Sequence, residues 1–234
     1  MTLLLSKPGA DVARDLAGGY AAGRTLRLMN YHSTPRVREP EYTRQLAELA
    51  PRYSPFRKDD LDRWPQGPAS PKNKPWLMPI LFEGFRDNYD VILPLLEDAG
   101  FTAWFFVPPH FLNVPVAEQR GFAEAHRLHY LRDEYPGERI TMTWAEARDA
   151  AARGHVFACH SRNHTALDRD TPDDVLHEEI FTGKQEMEDG LGLPVDIFCW
   201  LHGADVGINP RADDMLRAAG FRYLFSNFRL QRLQ

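Results

Sequence analysis

Apolar residues fall along this chain in two alternating patterns: short unbroken runs, and longer stretches with one apolar face. The runs Leu26–Tyr31, Trp76–Phe82, Phe101–Val107, His155–Cys159, Val195–Trp200 and Phe221–Ser226 are short and largely apolar, which predicts strands, and Trp76–Phe82 and Phe101–Val107 are apolar enough to lie buried in a parallel sheet. Helical patterns lie between them. One falls near Tyr42–Leu49, and Asn88–Ala99 sets Val91, Ile92, Leu95 and Leu96 on one face before stopping at Gly100. Thr143 and Glu146 have the spacing of a capping box, opening a helix to Arg153 with Gly154 just beyond. Thr171-Pro172 starts a helix that runs to about Asp189, and Asn209-Pro210 opens one that Gly220 closes. Strand and helix in succession mean βα units and a mostly parallel sheet or barrel. In such folds the chemistry sits at the C-terminal ends of the strands.

Length suits this reading. A chain of 234 residues is close to the roughly 250 of one α/β barrel. There is no internal repeat, and Pro65, Gly67, Pro68, Ser70 and Pro71 mark a surface loop from Trp64 to Lys74. The net charge of −5 comes from signs scattered along the chain, with no basic block interleaved with aromatics, which argues against nucleic acid as a partner. The apolar run after Met1 is too short for an export signal, and Asp11, Arg14 and Asp15 follow it closely. No stretch approaches the roughly 18 apolar residues of a membrane span. The two cysteines, Cys159 and Cys199, lie in apolar strand-like runs and read as reduced core thiols. A cytoplasmic protein is expected, though a chain trimmed of an export signal would read the same way.

Four predicted strand ends are polar: Tyr31-His32, Glu83, His160-Ser161-Arg162-Asn163-His164, and His202. Two imidazoles four residues apart at a strand end, with a carboxylate from another strand, suit a zinc-like ion that keeps a position open for water. The spacing alone is a weak signal in a chain with nine histidines. His160 and His164 read equally as a hydrogen-bonded turn, Glu83 as the partner of Arg86, and His32 as a core-edge histidine. Asp87 and Asn88 read as helix N-caps. Trp104, Trp144 and Trp200 read as core or cleft wall.

Several of these segments together resemble one family. His155-Val-Phe-Ala-Cys-His-Ser-Arg-Asn-His164 resembles the H-S/T-x-x-H motif of the polysaccharide deacetylases, the NodB-homology carbohydrate esterases. Pro79-Ile-Leu-Phe-Glu-Gly-Phe-Arg-Asp-Asn-Tyr89 is similar to that family's first motif, T-F-D-D-G-Y-R-D-N-Y, and Phe198-Cys-Trp-Leu-His-Gly203 to its F-x-Y-P-x-G. Leu26-Arg-Leu-Met-Asn-Tyr-His32 and the end of the chain from Phe228 resemble the circularly permuted poly-N-acetylglucosamine deacetylases, whose general-acid histidine sits on the first strand.

The resemblance implies a distorted (β/α) barrel of about seven parallel strands over residues 26–234, behind an N-terminal extension, 1–25. It implies a divalent ion, zinc or else nickel or cobalt, held by Glu83, His160 and His164. It makes His32 the general acid, Glu83 a further catalytic group, and Trp200 and His202 substrate contacts. The implied reaction is hydrolysis of the N-acetyl amide of an amino sugar in an oligo- or polysaccharide. One departure bears on activity: the family's first aspartate, its general base, is Phe82 here, and Phe82 cannot accept a proton. Leu201 and His202 stand where the third motif has its proline, and the arginine expected nearby is absent. The alternatives are a degenerate relative that binds a glycan or a partner protein, and an amidohydrolase acting on a small cyclic amide.

Overall fold

The structure, a computed structural model, describes residues 25–63, 74–226 and 230–232. The expected N-terminal extension and the Trp64–Lys74 loop lie, but for their last residues, outside that set. The chain runs β1 (Leu26–Tyr31), α1 (Glu39–Leu49), β2 (Ser54–Pro55), α2 (Lys58–Arg63), β3 (Trp76–Phe82), a π-helical turn (Asn88–Ile92) and α3 (Leu93–Asp98). β4 (Trp104–Val107), α4 (Pro109–Asn113), α5 (Gln119–Ala125), α6 (Trp144–Ala152) and β5 (Val156–Cys159) follow. Then come α7 (Asp173–His177), a second π turn (Glu178–Thr182), α8 (Gly183–Leu191), β6 (Ile197–Cys199), α9 (Pro210–Ala218), β7 (Tyr223–Phe225) and β8 (Leu230–Arg232).

One sheet takes every strand in the order β1-β3-β4-β5-β6-β7-β8, with β2 pairing the start of β3. β1 to β7 are parallel and β8 returns antiparallel to β7. Among the described residues no pairing joins β8 to β1, so the sheet is a curled, open barrel.

The two-residue period of the strands separates two cores. Met78, Ile80, Phe82, Trp104, Phe106, Val156, Ala158, Ile197, Cys199, Tyr223 and Phe225 form the inner one. Leu77, Leu81, Phe105, Val107, Phe157, Cys159, Phe198, Trp200 and Leu224 join the helices in the outer one. Trp104 is fully buried, and its indole N–H donates to the Phe56 carbonyl at 3.0 Å, so it is core as expected. Trp144 is half-buried and bonds Asn113 at 2.7 Å. The capping box of Thr143 and Glu146 is present, and Asn209 caps α9.

Several expected elements prove shorter or interrupted. The strands expected over Phe101–Val107, Val195–Trp200 and Phe221–Ser226 are trimmed to β4, β6 and β7. Apolar character marks burial as well as ladder pairing, and the flanking residues are buried without being paired. The helices expected over Asn88–Ala99 and from Thr171 to about Asp189 each contain a π turn, an extra residue per turn that side-chain periodicity does not reveal. The strand β2 and helix α2 had no pattern strong enough to predict them.

Candidate metal centre

The inner columns of side chains end at the C-terminal rim of the sheet, and the polar residues there continue them. His32 follows β1, Glu83 follows β3, His160 follows β5, and His202 lies just beyond β6. With Asn30, Phe82, Arg127, His129, His164, Trp200 and Leu201 they line one cavity of about 330 Å³.

Backbone strain is concentrated here. Glu83 (φ 67°), Arg127 (58°), Ser161 (56°), His164 (60°) and His202 (51°) are the described non-glycine residues in the left-handed region, and all line or adjoin the cavity. Each such residue costs of order 1–3 kcal/mol and persists only where its surroundings hold it. The Glu83-Gly84 turn is held by Glu83 N–H to the Phe106 carbonyl at 2.8 Å and Met142 N–H to the Gly84 carbonyl at 2.9 Å. Gly84 is obligatory: its φ is +73°, and a Cβ would stand 3.1 Å from both Val107 and Leu112.

The 160–164 turn is fastened from the second π turn. Buried Glu179 accepts from the Asn163 backbone and side-chain N–H groups, each at 2.8 Å, and Ser161 Oγ accepts from Thr165 N–H at 2.9 Å. The first π turn does the same for His32. Asn88 Nδ2 donates to the His32 carbonyl at 2.7 Å and to Thr34 Oγ1 at 3.0 Å. Asp87 accepts from the Ser33 hydroxyl, and burial pushes its carboxyl up to about 6. The expected N-capping by Asp87 and Asn88 is therefore corrected: Asp87 makes no side-chain cap bond, and both residues reach across to the β1–α1 connection.

One donor atom from each of Glu83, His160 and His164 lies within 4.8 Å of the other two. His160 Nδ1 donates to the Cys199 carbonyl at 3.0 Å and His164 Nδ1 to the His126 carbonyl at 2.9 Å, which leaves both Nε2 lone pairs free. Burial lowers the pKa of both imidazoles, that of His164 to about 4, so both are neutral ligands at pH 7. Glu83 is 2% exposed, and burial pushes its carboxyl up against the opposing pull of His32, whose Nδ1 sits 2.9 and 3.0 Å from its oxygens. The half-exposed His32 only partly offsets the burial of Glu83, its other two neighbours are neutral imidazoles, and a divalent cation would supply the further charge. His164 Nε2 and Glu83 Oε1 are 3.8 Å apart, somewhat more than the roughly 3.4 Å between two tetrahedral zinc ligands. The residues fit the ion.

Arg86 does not pair with Glu83; it bonds Asp90 at 2.9 Å and Glu138 at 2.7 Å. Phe82 occupies the cavity floor, stacked on His32 at 5.1 Å and tilted to His160 at 5.3 Å. His202 is exposed, its ring edge-on to His164 at 5.5 Å. Trp200 is 3% exposed, belongs to the outer core with Phe198, and touches the cavity from behind. Arg127 and His129 have no counterpart among the residues singled out from the sequence, because nothing in the spacing of His126-Arg-Leu-His129 sets it apart from a surface loop.

Residues 78–224 match the polysaccharide deacetylase family, well over half of the chain. The chain belongs to that family. Comparison with curated proteins gives no match. The fold of this family member is similar to that of the de-N-acetylase from Aggregatibacter actinomycetemcomitans, at 16% identity and TM-score 0.63 over 86% of this chain and 87% of that one. It is similar also to the BpsB deacetylase domain from Bordetella bronchiseptica (17%, 0.60, 86% and 88%). Streptococcus pyogenes deacetylase PplD in complex with acetate is a further likeness (14%, 0.59, 84% and 79%). At these identities the likeness is one of fold. No helix among the described residues is long and apolar enough to cross a membrane.

Proposed function

We propose that this family member hydrolyses the N-acetyl amide of an amino sugar within a larger carbohydrate, in a domain spanning residues 26–234. Glu83, His160 and His164 would hold a divalent ion, zinc being the best match to two nitrogens and one carboxylate oxygen. The observation that carries this reading is the buried three-donor cluster at the strand ends of a polysaccharide deacetylase fold. When bound, the ion polarises the acetyl carbonyl and lowers the pKa of water.

The chain's own groups supply the rest. His32 keeps Nδ1 on Glu83 and has a 58% exposed side chain, so Nε2 is the nitrogen available to protonate the departing amine. The Glu83 hydrogen bond raises the pKa of His32 and helps it hold that proton. Trp200 and His202 would form the cavity wall against the sugar.

The side chain that would take the proton of the attacking water is the weak point. Phe82 fills the floor beside His32 and His160 and accepts no proton. Loss of a general base costs on the order of 10²–10⁴ in rate, so turnover is expected to be slow. The same ring favours a second reading, a relative that retains the ion and binds a glycan without cleaving it. Release of free amine from an N-acetylglucosamine oligomer, abolished by a chelator and restored by zinc, separates the two. Binding of the oligomer without release supports the second.

A further inference from the structure

Arg127 and His129 line the cavity beside the three donors, and the chemistry above gives them no part. They alternate with two residues that fix the segment. The His126 carbonyl accepts from His164 Nδ1 at 2.9 Å, and Leu128, 3% exposed, is buried in the cluster of Phe85, Phe111, Ala123 and Ile140. Leu128 N–H also bonds the Ala123 carbonyl at 2.8 Å. Arg127 itself is held at φ 58°, a conformation that costs a non-glycine residue energy. The two side chains are exposed, but they leave an anchored backbone at the cavity.

Glu83 lies within electrostatic reach of His129, but Arg127 has no counter-ion among the described residues. Glu83 is the one acid lining the cavity among the described residues, and its oxygens are engaged by His32. Glu124, the nearest acid in sequence, bonds Arg132 at 2.8 Å instead. No described acid pairs with the Arg127 guanidinium. The exposed Arg127 guanidinium beside a site for a dication repels that cation, which is unfavourable unless the ligand brings negative charge. A planar guanidinium matches a carboxylate with two parallel hydrogen bonds.

We infer that Arg127, assisted by His129, binds a carboxylate carried by the substrate, so that the preferred substrate is an N-acylated amino sugar bearing an acidic substituent. This rests on the carbohydrate amide reading above and narrows it. The test uses the zinc-loaded full chain and two N-acetylated amino-sugar oligomers of equal length, one neutral and one carrying a carboxyalkyl ether, with binding measured by calorimetry. The wild type should bind the acidic oligomer about tenfold more tightly, the scale of a charge-assisted hydrogen bond, and less so as salt rises. Arg127→Gln should bring the ratio close to one, Arg127→Lys should keep part of it, and His129→Gln should reduce it. Equal binding of both oligomers by the wild type, or an unchanged ratio in Arg127→Gln, overturns the inference and leaves the deacetylase reading intact. Acetate is the other carboxylate this reaction would present. If Arg127→Gln weakens acetate binding while the wild type does not distinguish the oligomers, the pair serves the product and the substrate assignment is wrong. If neither oligomer binds a chain that takes up zinc, the carbohydrate reading itself fails and takes the inference with it.

Discussion

Replacing Phe82 by aspartate puts a carboxylate where the sequence resemblance implies that the family's first motif has one. Phe82 ends an inner column of the barrel, 8% exposed, stacked on His32 at 5.1 Å and edge-on to Phe106 at 5.5 Å. Removing a buried aromatic costs about 3–5 kcal/mol. The lower end applies here, because the ring borders a cavity that water can refill. Without metal, a second carboxylate adjoins Glu83 in sequence and adds repulsion. At about 2–4 °C per kcal/mol for a chain of this size, Tm should fall by about 6–12 °C. With zinc bound, the ion's charge offsets part of that. Against this loss stands a base, so turnover should rise at least about tenfold, towards the 10²–10⁴ typical of base catalysis. The assay is release of free amine from an N-acetylglucosamine oligomer at saturating zinc, beside a thermal melt with and without metal. Zinc-loaded Phe82→Asp that turns over no faster than the wild type would refute the reasoning and favour a glycan-binding relative.

In the metal-free protein, burial lowers the His164 pKa from 6.5 to about 4. The unfolded chain therefore protonates first, and stability should fall by up to about 3 kcal/mol as pH drops through that window. Denaturation midpoints at pH 7 and pH 5 check this, and His164→Gln should flatten the dependence. Asp87 works in the opposite sense, its carboxyl raised from 3.8 to about 6, so it costs stability as pH rises through that range. Asp87→Asn should make the acid-side loss steeper, and an unchanged profile would contradict the assignment. Burial pushes the Cys159 and Cys199 thiols up, so neither should react with a thiol reagent in the folded chain and both should react on unfolding. Unfolded protein prepared without oxidant that shows no free thiol would contradict a reduced pair. Asn88→Leu removes the bond to the His32 carbonyl and should lower kcat about tenfold with little change in KM; equal losses in unrelated binding would point to a general folding defect.

The fold was legible because β3 to β7 are short apolar runs buried on both faces, whereas β1 exposes Arg27, Leu28 and Asn30 and was legible from its apolar residues alone. Trp76–Phe82 and Leu26–Tyr31 appear with the boundaries their apolar runs suggest, and the Thr143–Glu146 capping box forms as its spacing predicts. Strand ends were legible through polarity, since a histidine or glutamate directly after an apolar run has few reasons to be there. What stayed hidden depends on long-range partners. Asp87 and Asn88 have the residue types of helix caps, yet their bonds go to Ser33, Thr34 and the His32 carbonyl, more than fifty positions away in sequence. The π turns insert a residue without disturbing the apolar stripe enough to be seen. Arg127 and His129 come from a connection without regular pattern, and the anchoring of His126 on His164 and the burial of Leu128 bring them to the cavity.

Zinc uptake by the chelator-stripped protein tests the three-donor centre most directly. One ion per chain should bind on reloading, and Glu83→Gln, His160→Gln and His164→Gln should each weaken it by at least about tenfold. A stripped chain that takes up no divalent ion, or one that binds zinc undiminished with all three donors replaced, would contradict the assignment.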